Sequence, residues 1–196
     1  WNEAVEFSDL LDDGQQMNWV RSALERDYAL EPLDVLTPET LAPLSRLILA
    51  QPRALSAEEN VALDDWVRSG GQVIVFADPM LTRHSEYRLG DPRRPHDVAL
   101  LSPILARWGL ELEFDSGQDE GERLVDAFGL TVPVRIAGTF RLREEGGEAD
   151  CTLSQSRLMA RCTIGQGRAL LVADAAVLDE SEPHDDGGEA EDHSGE

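Results

Sequence analysis

The order of apolar and polar positions divides the chain into alternating helical and extended stretches. Between residues 15 and 28, Met17, Val20, Leu24 and Tyr28 fall close to helical spacing and predict a helix. Residues 33–36 (Leu-Asp-Val-Leu) read as a short strand, and Thr37-Pro38 opens a brief helix through Leu44, proline being suited to a first turn. Residues 46–50 form an apolar strand closed by Gln51-Pro52. The most explicit stretch follows, from Leu55 to Pro79. Ser56 and Glu59 have capping-box spacing, and Leu63, Trp66 and Val67 recur at i, i+3 and i+4 to give one apolar helix face. Gly70-Gly71 then supplies residues that tolerate positive φ after the last turn. Residues 73–77 (Val-Ile-Val-Phe-Ala) are an unbroken, β-branched-rich run, the pattern of a strand covered on both faces as in a parallel sheet, and Asp78-Pro79 ends it. Helix, strand, helix and strand in alternation predict an α/β fold, a mainly parallel sheet flanked by helices.

Downstream, residues 80–95 form a long polar loop carrying Arg83, His84, Arg88, Arg93 and Arg94, and loops of that length in compact domains tend to be functional or disordered. Helical patterning resumes over 98–108 and stops at Gly109; residues 110–114 alternate apolar with acidic side chains, as in a half-exposed strand near a sheet edge. Residues 115–123 read as a solvated acidic loop. From about 130 to 163 the pattern becomes that of a small antiparallel β appendage, with strands expected at 132–136, 139–143, 151–154 and 158–163. Gly165-Gln-Gly167 leads into a last apolar strand, 168–173, which ends at Asp174 as the earlier one ends at Asp78. The expectation is one α/β domain over 1–179. Residues 180–196 hold almost nothing apolar to offset ordering entropy and are expected to form a disordered acidic tail.

Composition narrows the function classes. A net charge of -22 argues against a general nucleic-acid binder, whose affinity comes from Lys and Arg displacing counterions. All 17 basic residues are Arg, which excludes a P-loop lysine and a Schiff-base lysine. No apolar run approaches the roughly 20 residues that cross a bilayer. The chain opens at Trp1 rather than Met, so a preceding signal, anchor or further domain is expected to have been removed. Cys151 and Cys162 stand opposite one another across a hairpin turning near Ser156-Arg157; they form either one disulfide, which suits an oxidising compartment, or two reduced thiols.

Two segments carry a resemblance to a known family. The stretch from Pro52 through Trp66-Val-Arg-Ser-Gly-Gly-Gln-Val-Ile-Val-Phe-Ala-Asp-Pro79, and Ile164-Gly-Gln-Gly-Arg-Ala-Leu-Leu-Val-Ala-Asp174, resemble the GldG-like auxiliary proteins of uncharacterised ABC-type transport systems, a family also related to a domain of intraflagellar transport proteins. The resemblance implies a flavodoxin-like or class I glutamine amidotransferase-like fold, without the catalytic machinery. It implies ABC transporter membrane or ATPase subunits as partners, membrane association through an anchor preceding Trp1, and a place in the cell envelope at the periplasmic face of the inner membrane.

The residues themselves offer limited catalytic chemistry. An amidotransferase needs a cysteine at a sharp strand-to-helix elbow with a histidine partner, whereas the chain gives Asp78-Pro79-Met80 there. His84-Ser85-Glu86 are adjacent in a loop and cannot face one another as a triad. Asp78 and Asp174, both at strand ends, either converge on one ligand or accept amide hydrogen bonds from the chain that follows them. The Arg83, His84, Arg88, Arg93 and Arg94 loop either clamps an anionic ligand or partner through guanidinium forks or pairs with the protein's own carboxylates. His184 and His193 lie in the tail, where no metal site is assigned, and no cofactor is expected. The reading is therefore a non-enzymatic domain that binds a protein partner, or a small anionic ligand or sugar, at its strand-end loops. The competing readings are a hydrolase or amidotransferase-like enzyme using Asp78, His84 or His96, and a carbohydrate-binding or scaffold module.

Overall fold

The computed structural model describes residues 19–82, 88 and 96–178. The first described helix, α1 (Trp19–Leu24), is followed by extended chain in which residues 33–36 form no strand. Leu36 is buried there, and its amide donates to Glu59 rather than to a neighbouring strand. Helix α2 (Pro38–Leu41) starts with proline behind a Thr37/Thr40 capping box. Strand β1 (Arg46–Ala50), helix α3 (Ala57–Arg68) and strand β2 (Gln72–Phe76) then complete a parallel βαβ unit, with α3 capped by the Ser56/Glu59 pair.

Helix α4 (Ser102–Arg107) leads into β3 (Leu110–Glu113), and the remaining strands are β4 (Arg123–Ala127), β5 (Leu130–Val134), β6 (Thr139–Leu142), β7 (Asp150–Leu153), β8 (Met159–Ile164) and β9 (Gly167–Val172). A 3-10 turn at Ala176–Leu178 closes the described chain.

The sheet corrects the expected architecture. Its order is β1-β2-β9-β8-β7, with β1, β2 and β9 parallel and β8 and β7 antiparallel, so it is mixed and not the flavodoxin-like or amidotransferase-like parallel sheet. The stretch expected as an appendage supplies β7 and β8 to this sheet, while β3 pairs with β6 and β4 with β5 in two separate antiparallel ribbons. Nor, among the described residues, is the sheet flanked by helices on both faces. In register across it stand Ile48, Ile74, Leu170, Arg161 and Thr152, of which Ile48, Arg161 and Thr152 are exposed and the other two half-buried. The apolar run at β2 therefore belongs to a strand buried on one face only; hydrophobicity alone does not distinguish the two cases.

The covered face packs Leu47, Leu49, Val73, Val75 and Leu171 into one core with Leu63, Trp66 and Val67 of α3 and with Ile104, Trp108 and Phe140 beyond. Two glycines let β9 run close under α3. A Cβ at Gly167 would lie 1.9 Å from the Val67 carbonyl oxygen, and Gly165, at φ +59°, would place one 2.7 Å from the Arg68 carbonyl oxygen. The Gly-Gln-Gly-Arg sequence is thus a close-approach motif between helix and strand.

Cys151 and Cys162 are directly paired in the β7–β8 register and joined by a disulfide, with their Cα atoms 4.1 Å apart. Buried Asp64 on α3 accepts hydrogen bonds from Arg68, Arg107 and Trp108, locking α3 to α4. Burial pushes its pKa up, but the hydrogen bonds from Arg68, Arg107 and Trp108 outweigh that and hold the carboxyl below the ordinary aspartate value.

Candidate functional site

The parallel strands β1, β2 and β9 end side by side, and their carboxyl ends place Gln51, Asp78 and Asp174 along one rim. All three are buried, the two aspartates completely. The Gln51 amide donates to Phe76 O (3.0 Å) and the Ala77 amide to Val172 O (2.8 Å), so the ladder runs on to the last residue before each acid.

Asp78 is held on several sides. Its Oδ1 accepts from the Met80 amide at 2.8 Å, and its Oδ2 accepts from the Ala175 amide at 3.2 Å, a direct tie between the two aspartate loops. The Asp78 amide donates to Gln51 Oε1 at 2.9 Å, and Gln51 Nε2 donates to the carbonyls of Asp78 (3.0 Å) and His96 (2.9 Å). Asp174 Oδ2 accepts from the Arg135 amide at 2.9 Å, 39 residues away in sequence, and Oδ1 accepts from the Ala176 amide. Each carboxylate thus satisfies backbone donors of the loops that cross the strand ends. The reading in which these acids accept amide hydrogen bonds describes their geometry.

Of the other sequence-derived candidates, Arg88 is exposed, and Arg83, His84, Arg93 and Arg94 lie outside the described residues. His96 is exposed and joins the rim through its carbonyl. The metal reading in the tail, His184 and His193, also lies outside the described residues. Among the described residues no group of three or more His, Cys, Asp and Glu is placed to hold a metal ion. No helix of the described residues is long and apolar enough to cross a membrane.

Sequence reasoning missed two features of the rim. Gln51 takes positive φ (+44°) and ties the end of β2 at Asp78 to the loop at His96 with its side-chain amide, a role signalled only by its place directly after an apolar strand. The second is an apolar patch. Met80, Val98 and Leu100 are 43%, 47% and 48% exposed, on loops fixed by the Ala99 amide donating to Asp78 O and the Leu81 amide donating to Asp97 O, both at 2.8 Å. The apolar pattern places Val98 and Leu100 in a helix over 98–108, whereas the helix begins only at Ser102 and leaves both on the loop before it.

A family model described as "ABC-type uncharacterized transport system" matches residues 6–127, a span that holds β1, α3, β2 and the rim loops after β2. No curated protein sequence matches the chain. Among solved structures, the chain is similar to the "mmIFT52 N-terminal domain", with 16% identity and a TM-score of 0.58, covering 82% of this chain and 79% of that one. It is also similar to "Cytoplasmic Protein STM1381" from Salmonella typhimurium LT2, with 10% identity and a TM-score of 0.51, covering 85% and 76%. A third similar structure is a catalytic mutant of Gan42B, a GH42 beta-galactosidase from G. stearothermophilus, with 18% identity and a TM-score of 0.47; it covers 79% of this chain, which spans only 22% of that enzyme. At these identities the likeness to the first two is one of fold alone.

Proposed function

Because the chain belongs to the auxiliary family of ABC-type uncharacterized transport systems, we propose that it is a non-catalytic docking domain whose strand-end rim binds a membrane or ATPase subunit of such a system. The observation that carries this reading is the division of labour at the rim. The carboxylates at Asp78 and Asp174 accept backbone amides inside the protein, while the described side chains turned to solvent there include the apolar Met80, Val98 and Leu100 beside the polar Thr82 and His96. Fixed loops presenting an apolar patch suit a protein surface better than bond cleavage, which needs a carboxylate able to take up or release a proton.

The finer reading is a GldG-like role at the periplasmic face of the inner membrane. The Cys151–Cys162 bridge supports an oxidising compartment. The test is affinity capture of the tagged chain from native membranes, with mass spectrometric identification of what is retained. The reading expects an ABC-transport membrane or ATPase subunit, lost with Met80→Asp and Val98→Asp together. Retention of such a subunit by the double variant, or turnover of an ester, amide or glycoside by the intact chain, would overturn it.

A further inference from the structure

Beside the rim lies a second concavity. A pocket of about 240 Å³ is lined by Asp115, Gln118, Arg123, Ala137, Thr139 and Arg157, contributed by the loop after β3, the start of β4, the loop between β5 and β6, the start of β6, and the turn between β7 and β8. Its walls are built, not incidental. Gln118 Nε2 donates to the carbonyls of Asp115 (2.9 Å) and Ala137 (2.8 Å), and Gln118 Oε1 accepts from Arg123 at 2.6 Å. Asp115 Oδ1 accepts from the Gly117 amide at 2.9 Å. The Arg157 amide donates to Ser154 O, and the Arg157 carbonyl accepts from the Phe140 amide at 2.8 Å, which pins the turn to β6.

Arg157 of the wall, at φ +58°, and Ile136, the residue before wall residue Ala137, at φ +50°, hold backbone conformations that L side chains rarely adopt. A β-branched residue in that region is costly, and such strain persists where the surroundings impose it, most often at binding sites. The charge pattern is equally specific. In a chain of net charge -22, Arg123 pairs with no carboxylate among the described residues, and Arg157 reaches Glu113 only at 3.4 Å. Glu113 is itself engaged at 2.9 Å by Arg141.

We propose that this pocket is a binding site for a small hydroxylated oxyanion. The guanidinium groups of Arg123 and Arg157 take the carboxylate or phosphate end, where planar forks bind bidentately. Thr139 and the Asp115 carboxylate, in the same lining, take hydroxyl groups, the acid as acceptor only. The volume lies below the ~300–1,000 Å³ of drug-sized pockets, which fits a ligand no larger than a single small metabolite. The inference stands on the pocket alone and does not depend on the transport reading.

The test uses the intact chain and three probes: D-gluconate, glycerol 3-phosphate and the neutral glycerol, titrated by calorimetry and by NMR shifts. The proposal expects saturable binding of gluconate, glycerol 3-phosphate or both, and none of glycerol. Gluconate alone identifies a carboxylate site and glycerol 3-phosphate alone a phosphate site. Arg123→Gln with Arg157→Gln should weaken binding by about tenfold or more at an unchanged melting temperature, and Thr139→Val, which keeps both guanidinium groups, should weaken it less. No saturable binding of either anion up to about 50 mM, or binding unaltered by the two arginine substitutions, would overturn it.

Discussion

Glu59 shows how much one side chain carries here. Its Oε1 accepts from Arg53 (2.7 Å) and the Leu36 amide (3.2 Å), and its Oε2 accepts from Arg53 and the Ser56 amide, both at 2.8 Å. Hydrogen bonds from Arg53 lower its pKa most, burial opposes them, and the Ser56 and Leu36 amides add to the lowering, so the carboxyl falls from 4.5 to about 2. A carboxyl depressed in the folded state stabilises above its unfolded pKa and loses that contribution as pH falls through the folded value. Glu59→Gln should therefore cost about 1–3 kcal/mol at pH 7, and the gap to the native chain should narrow between pH 4.5 and about 2, read by urea denaturation at each pH. At the rim, Asp78→Asn replaces one of two acceptor oxygens with a donor facing a backbone amide; it should lower stability by about 1–3 kcal/mol in thermal melts. The Ser56/Glu59 cap and the two strand-end aspartates were legible in the sequence because their partners are local or follow a strand. The 39-residue tie from Asp174 to Arg135 and the Gln51 bridge were not, since no local pattern encodes a contact between distant loops.

Among the elements, the closest approach is that of β9 to α3. Gly167→Ala would drive a Cβ into the Val67 and Gly71 carbonyl oxygens, 1.9 and 2.4 Å away, and because both are backbone atoms neither can turn aside. A loss of more than about 2 kcal/mol is expected, measured by denaturant unfolding. The β7–β8 hairpin is closed by a disulfide spanning 11 residues, so reduction should cost about 2–3 kcal/mol, seen as a lower urea midpoint with reductant than without. Strand positions were largely readable from apolar runs, β1, β2, β8 and β9 among them. Their neighbours were not: β7 and β8 join the parallel strands through β9, a choice made by tertiary pairing. Strand β4 escaped because its outward position, Leu124, is 70% exposed and its flanks are acidic, so alternation against a buried face was obscured.

At the scale of the whole molecule, a mixed sheet with α3 and α4 packed on its covered face leaves, among the described residues, three surfaces: the strand-end rim, the arginine-lined pocket next to it, and the open sheet face. On that open face Arg46 and Arg168 share one register row and Arg161 stands in the next row on that face, with Arg46 5.3 Å from the Tyr28 ring and Arg161 4.0 Å from the Phe128 ring. Stacked in this way, Arg46 and Arg161 set their guanidinium groups over aromatic rings. The family places the chain with an ABC-type transport system, and the rim supplies the surface for docking proposed above. The most direct test is site-specific photo-crosslinking in cells, with the crosslinker at Met80 or Val98 on the rim and, for comparison, at Val61, which is 59% exposed on α3. Crosslinks from Met80 and Val98 to a membrane or ATPase subunit of the transport system, with none from Val61, are the expected result; crosslinks from Val61 with none from the rim would contradict the account.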